Sequence, residues 1–116
     1  MKIQLVNKSQ NPLPKYAHEP INDNVLDSGM DIYADFSKIN PKFMWDVSPT
    51  YNEDGTIKSI TIHPLGRILI PTGIHCACPP GYELQVRDRS GYALKKGVQL
   101  SNGIGTIDAK IKFNIF

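Results

Sequence analysis

Cysteine is nearly absent from this sequence: its 116 residues hold two, Cys76 and Cys78. A structural zinc site needs about four ligands. His75 would point to the opposite face of a strand from the cysteines, and His18 and His63 lie far off in sequence. A disulfide between residues i and i+2 is geometrically poor, so nothing here demands an oxidising compartment. Two buried thiols on one face of a core strand, beside Ile74, is the plainer reading. One-sided charge is lacking too. Thirteen Lys and Arg against eleven Asp and Glu leave a net +2, which provides no strong field for nucleic acid or a membrane surface. The basic pair Lys95-Lys96 reads as a solvated turn. No apolar run approaches the ~20 residues that span a bilayer, and Met1-Lys2-Ile3-Gln4 lacks the apolar core of a signal peptide. These absences predict a soluble, cytoplasmic protein with no nucleic-acid and no membrane partner.

No long helical period appears either. What is present is punctuation: nine Gly and nine Pro separate many short β-like runs, the pattern of an all-β sandwich or barrel. The length fits a single domain, residues 1–116, with one core and little to spare, so oligomerisation would help it. Ile3-Gln4-Leu5-Val6 reads as a first strand, Asn11 to Pro20 as an extended Pro-rich connection, and Asp31 to Ala34 as a strand. Asp54-Gly55 is a strong hairpin signal, and Lys58 to His63 alternates as a strand, so a surface hairpin is expected at about 36–64. Trp45, beside Phe43 and Met44, anchors that hairpin or covers a subunit contact. Leu65 to Gly73 reads as a strand and turn, and Ile74 to Cys78 as the next strand. Tyr82, Leu84 and Val86 then share one face, and Glu83, Gln85 and Arg87 the other, the period of a half-buried strand.

That last strand delivers the chain into Arg89-Ser90-Gly91. A guanidinium presents planar, permanently charged donors to phosphate oxygens. Ser90 adds a hydroxyl, and glycine lets a backbone approach a ligand closely. Alone, the tripeptide is usually a surface turn. A fixed distance later comes Gly105-Thr106-Ile107-Asp108. A carboxylate held on rigid strand structure can take a proton from an attacking water, although an isolated Asp108 would more simply cap a turn. Asn102-Gly103 and Gly105 predict a tight hairpin with exposed backbone groups, which can be an ordinary turn and a reader of a base edge at once. Asp31, on its own, reads as a structural carboxylate bonding to a neighbouring loop.

The segment Arg89 to Asp108 resembles, without a gap, the second and third motifs of the trimeric dUTP diphosphatase (dUTPase) family. Ser28-Gly29-Met30-Asp31-Ile32-Tyr33-Ala34 resembles its first motif, and Pro71-Thr72-Gly73 and Pro80-Gly81-Tyr82-Glu83 resemble segments between. The resemblance covers most of the chain except the 36–64 insertion. It implies a jelly-roll-like β-barrel or sandwich, assembled as a homotrimer with active sites between subunits. It implies hydrolysis of dUTP to dUMP and pyrophosphate, with Mg²⁺ as cofactor. By the same resemblance Asp108 is the catalytic base, and Arg89, Ser90 and Gly91 hold the phosphates, Arg89 across a subunit boundary. The hairpin Asn102 to Ile107, with Gly105 and Thr106, reads uracil and deoxyribose and leaves no room for the methyl of thymine. Asp31 meets magnesium through water.

Three departures stand out. Asp88 occupies a position where the family usually has proline, and an extra carboxylate there must point away or pair with Arg87. After Asp108 the family continues into Tyr-Arg-Gly, whereas this chain reads Ala109-Lys110-Ile111, so the tyrosine that rejects ribonucleotides is absent. Ile111, Phe113 and Ile115 instead alternate as a strand. The chain then stops at Phe116, before the fourth and fifth motifs, and is expected to be C-terminally truncated and poorly active at this length. Two rivals follow. A nucleotide-binding or regulatory trimer impaired in catalysis accords with the missing segments. A dCTP deaminase ranks lower, because that chemistry needs a glutamate at the base and no glutamate follows Glu83.

Overall fold

Strands dominate the computed structural model, which describes residues 3–22, 25–109 and 113–115. They are β1 (Gln4–Asn7), β2 (Met44–Tyr51), β3 (Ile57–Ile68), β4 (Ile74–Ala77), β5 (Glu83–Val86), β6 (Gly105–Asp108) and β7 (Phe113–Ile115), with one helix, α1 (Ser90–Lys96). They form three sheets: β1-β4-β7, β2-β3 and β5-β6. The all-β expectation holds, but the described residues do not close a barrel. Among them no helix is long and apolar enough to cross a membrane. The chain divides into two compact units, one holding residues 1–6 and 74–115, the other residues 7–73 and 116.

The first unit carries the buried apolar side chains. In β4 the period of two is strict: Ile74, Cys76 and Cys78 are buried, while His75 and Ala77 are half-buried. Antiparallel β7 pairs Ile74 with Ile115, His75 with Asn114 and Cys76 with Phe113. The expected C-terminal strand is therefore present from Phe113; Ile111 lies outside the described residues. Beyond β4, Pro79-Pro80-Gly81-Tyr82 turns the chain. The Tyr82 N–H donates to the Pro79 carbonyl at 3.2 Å, with Gly81 at φ +87°. Proline at the second position and glycine at the third are what a type II turn demands.

The second unit is held mainly by polar bonds. Buried Asp35 accepts from the Ser37 N–H and hydroxyl at 3.1 and 2.6 Å, and its own N–H donates to the Pro71 carbonyl. Its largest element is the hairpin β2-β3, turned at Asn52–Thr56 with Gly55 at φ +83°. Val47↔Ile62, Pro49↔Ile60 and Tyr51↔Ile57 lie on one face, Ser48↔Thr61 and Thr50↔Ser59 on the other. Hydroxyl contacts knit the polar face: Thr50 to Ser59 at 2.6 Å, and Ser48 to His63 Nε2 at 2.7 Å. At the base the Arg67 guanidinium sits 4.8 Å from the Trp45 ring centre, and Phe43 is tilted against the same ring. Trp45 keeps 44% of its surface exposed beside these contacts.

Three expectations need correction. The inserted hairpin runs over 44–68 rather than 36–64. Two short 3-10 turns, Phe36–Lys38 and Pro41–Phe43, fill its predicted start. No separate strand begins at Leu65. Strand β3 continues to Ile68 past a large bulge in which Asp46 stands opposite His63, Pro64, Leu65 and Gly66, a one-against-four irregularity that sequence periodicity does not announce. Asp31 to Ala34 is not a strand. It keeps one bridge, Asp31 to Lys15, with reciprocal backbone bonds of 2.8 and 3.2 Å.

The bulge is strained. Asp46 and Leu65 have φ of 51° and 66°, and Leu65 is fully exposed, so no burial offsets its left-handed backbone. A Cβ on Gly66 would overlap the Asp46 carbonyl oxygen and lie 2.8 Å from that of His63. Replacing Leu65 by Asn should raise the melting midpoint by a few degrees, and Gly66→Ala should lower it. Calorimetry on both variants checks the pair.

Candidate active site

Strand β5 alternates as the sequence predicts: Leu84 and Val86 are half-buried, and Glu83 and Gln85 are exposed. Tyr82, read with the inward face, precedes the strand and is 57% exposed. The outward face carries a polar chain. Arg87 donates twice to Gln85 Oε1, at 3.1 and 2.5 Å, and Gln85 donates to Glu83 Oε1 at 2.7 Å. Antiparallel β6 lies alongside, with Glu83↔Asp108, Leu84↔Ile107, Gln85↔Thr106 and Val86↔Gly105. Thr106 and Asp108 therefore share the outward face with Gln85 and Glu83. Gly105 suits a close approach: a Cβ there would meet that of Val86 at 3.3 Å. Ile107 faces inward and is 6% exposed. Its side chain belongs to the core, and only its backbone remains for a ligand.

After β5 the chain enters a helix where the sequence showed no helical period. Arg89 caps α1 with extended backbone, Ser90 opens it and Gly91 follows. Tyr92 to Lys96 are ordinary to good helix formers. Gly97 stops the helix in the left-handed region at φ 65°, donating its N–H to the Ala93 carbonyl at 3.1 Å. Lys95-Lys96, read as a turn, is the last turn of this helix, where cations suit the exposed carbonyls. Arg89, Ser90 and Gly91 are all exposed. The Arg89 guanidinium carbon lies 5.5 Å from the Tyr92 ring centre, three residues on, a helical spacing recognisable only once the helix is known. Nothing lies within 4 Å of a Cβ built on Gly91, so its own chain does not require glycine there.

The expected hairpin over 102–107 is instead a turn followed by a strand. The Gly103 N–H donates to the Leu100 carbonyl at 3.0 Å and the Ile104 N–H to the Asn102 carbonyl at 2.9 Å, with Gly103 at φ +74°. The strand that follows pairs with β5, not with the residues just before the turn. Asn102 is exposed on this turn. Asp88 is neither idle nor paired with Arg87: its Oδ1 accepts the Leu100 N–H at 2.6 Å. No local pattern flags a bond across twelve residues, so the sequence reading missed it.

One end of the β5-β6 ladder therefore leads to Arg89, Ser90 and the Asn102 turn, and the other carries Asp108. Three strand steps separate Gly105 from Asp108, ~10 Å. Asp31 belongs to the second unit, where it is half-buried in its bridge to Lys15. Among the described residues no group of three or more His, Cys, Asp or Glu is arranged to hold a metal. An aspartate carboxylate is the donor type that hard cations take, with phosphate and water completing the shell.

No protein-family model matches the chain. Curated relatives do. A deoxyuridine 5'-triphosphate nucleotidohydrolase from Finegoldia magna is 41% identical over 115 residues, which is 99% of this chain and 62% of the relative. Proteins of the same name from Dinoroseobacter shibae and Fusobacterium nucleatum are 39% and 34% identical, over 84% and 94% of this chain and 50% and 57% of their own lengths. By these relatives it falls among proteins named for nucleotide hydrolysis. More narrowly, all three relatives are named as dUTPases, and the chain spans between half and two-thirds of their length.

Behind the site, the Cys78 thiol donates to the Tyr82 carbonyl at 3.3 Å and the Ile107 carbonyl at 3.8 Å. Both cysteines are free and buried. Burial pushes the Cys76 thiol above its ordinary value of 9.0, and the neighbouring Cys78 adds to the rise. An unfolded thiol ionises at the ordinary value and the folded one only higher, so this contribution to stability is whole below pH 9 and is lost as pH rises through the folded value. Both thiols should resist alkylation at pH 8 in the native protein and react after denaturation. Rapid native labelling of Cys76, read by mass spectrometry, would contradict this.

Proposed function

We propose that this protein hydrolyses dUTP to dUMP and pyrophosphate at sites shared between the subunits of a homotrimer. The single observation that carries the reading is the ladder geometry. Arg89 and Ser90 leave one end of β5-β6 while Asp108 stands at the other, so one chain's phosphate donors are poorly disposed to serve its own carboxylate. A second copy supplying the opposite half resolves the mismatch. Both units are taken as parts of one dUTPase-like domain, and free thiols suit a cytoplasmic protein.

The chemistry follows from the residues. Asp108, exposed at a strand end, accepts the proton of a water attacking the α-phosphorus in line. Arg89 offers a planar fork to phosphate oxygens, and the Ser90 hydroxyl donates to the oxygens around the bond that breaks. The turn Asn102 to Ile104, running into Gly105 and Thr106, reads the uracil edge with backbone groups. Asp31 would hold, through water, a Mg²⁺ bound to the triphosphate, and the ion would supply charge screening there. A binding-only trimer remains the second reading, favoured by Ala109-Lys110-Ile111 standing where the family's sugar-contacting tyrosine belongs.

Asp108→Asn keeps size and hydrogen bonding but removes the proton acceptor. It should lower turnover of an active protein by ~10²-fold or more while nucleotide affinity stays within a few-fold. Unchanged turnover would reduce Asp108 to a strand-end cap, and tight dUTP binding without turnover in the unsubstituted protein would favour the second reading. Competition among dUTP, dTTP and dCTP should rank dUTP first, with equal affinities removing the uracil assignment. Light scattering at micromolar concentration should give three times the chain mass; a stable monomer would exclude the shared site.

A further inference from the structure

Asn102 stands before Gly103, the one Asn-Gly pair in the sequence. An asparagine followed by glycine is the pair most open to attack on its own side chain, because the next backbone nitrogen has no Cβ beside it. Here that nitrogen is clear: beyond its chain neighbours, nothing lies within 4 Å of a Cβ built on Gly103. Asn102 is exposed, and among the described residues none bonds its side-chain amide. Other asparagines are tied. Asn7 donates to the Asn11 carbonyl and Asn11 to the Ala34 carbonyl, Asn40 accepts the Lys42 N–H, and Asn52 donates to the Thr56 hydroxyl. Asn11 and Asn40 are also followed by proline, whose nitrogen has no proton to give up.

Two backbone bonds shape the turn. The Gly103 N–H donates to the Leu100 carbonyl at 3.0 Å and the Ile104 N–H to the Asn102 carbonyl at 2.9 Å. With Gly103 at φ +74°, the second bond closes a γ-turn of the rare, strained kind. A Gly103 nitrogen that loses its proton can attack Cγ of Asn102. The N–Cγ bond forms, the Cγ–Nδ2 bond breaks, and the side-chain nitrogen leaves as ammonia with that proton. Water then opens the succinimide ring. Entry at Cγ gives aspartate. Entry at the Asn102 backbone carbonyl gives isoaspartate, whose main chain runs through Cβ and Cγ and is one carbon longer. A turn closed across so few atoms loses its bonds when the chain lengthens.

We propose that Asn102-Gly103 is a spontaneous modification site, at which isoaspartate formation disables the turn assigned above to the uracil edge. The consequence rests on the nucleotide-site reading, whereas the modification is detectable without any nucleotide. The turn belongs to one chain and serves one base pocket, so the effect does not depend on which subunit supplies the phosphate donors. The native fold slows the step without stopping it. The proton that must leave Gly103 is the one held by the Leu100 carbonyl, and this bond lies on exposed surface, where it opens without unfolding the ladder.

The test holds the full chain at pH 8, native and in denaturant, and maps its peptides by mass spectrometry with aspartyl and isoaspartyl forms separated. In the native protein Asn102 should convert ahead of Asn7, Asn11, Asn40 and Asn52, with isoaspartate the larger product. Its native rate should fall roughly 5-fold below the denatured one, the effect of one neutral hydrogen bond. Aged protein should bind dUTP ~10-fold more weakly than fresh protein, the loss expected from two backbone hydrogen bonds. Treatment with an isoaspartyl methyltransferase and its methyl donor, which restores the normal backbone, should recover most of that loss. Asn102→Gln, whose longer side chain closes the equivalent ring slowly, should keep its own starting affinity over the same interval. A native protein that keeps Asn102 intact while the denatured chain converts would overturn the modification site. Isoaspartate with unchanged dUTP affinity, a loss that repair does not recover, or an equal loss in Asn102→Gln would overturn its effect on the turn. A fresh chain that does not bind dUTP would instead remove the nucleotide-site reading, and the peptide map alone would then decide whether the modification occurs.

Discussion

Four residue pairs between β5 and β6 govern the candidate site. Side chains alternate with a period of two, so the register Glu83↔Asp108 assigns each residue in the ladder to a face. Ile107 turns inward onto the Cys78 side of the core, and Asp108 is thereby left facing outward. A slip of one residue would exchange them, burying a carboxylate and exposing an isoleucine. The cost of that exchange pins the register more firmly than four short-strand pairings could. The carboxylate owes its location to the apolar residue before it.

The same ladder separates the two ends of the candidate site. Its Val86-Gly105 end opens into the helix and the Asn102 turn, while its Glu83-Asp108 end carries the carboxylate. Segments at the open end are fixed by hydrogen bonds over exposed surface rather than by packing, since Asp88, Arg89, Ser90 and Asn102 are all exposed. Such a site is preorganised by donor and acceptor geometry, and a neighbouring copy or a ligand can reach it without displacing a core.

The sequence made some of this plain and hid the rest for physical reasons. Alternation in Ile74 to Cys78 and in Leu84 to Val86 is a direct image of burial, so those strands were readable. Asp54-Gly55 was readable because only certain residues tolerate its backbone. The bulge opposite Asp46 was not, because it breaks the period on which the reading depends. Helix α1 was hidden by brevity: seven residues hold no repeated apolar spacing, and its existence rests on the Gly97 stop and its tertiary setting. The candidate site residues stood out as a motif and its spacing, whereas their bonding partners did not. Nothing near Asp88 in sequence points to Leu100, and the pairing of β6 with β5 depends on a long connection. Asp31, read as strand, makes an isolated backbone bridge to Lys15, which a short alternating run cannot distinguish from a ladder.

Residues 87–104 also lie on the path of assembly. The β5-β6 ladder cannot form until this stretch brings its ends together, and the entropy lost grows with the logarithm of the free length. Each local element that forms first shortens the length still free: α1, the Gly97 reversal, then the Asp88-Leu100 bond that leaves little more than the Asn102 turn to close. The segment proposed to face the ligand is thus the spacer whose compaction lets the ladder zip. Selection on ligand contacts and selection on folding rate act here on the same few residues, and a substitution that loosens the loop for a new substrate slows the arrival of the fold that must hold it.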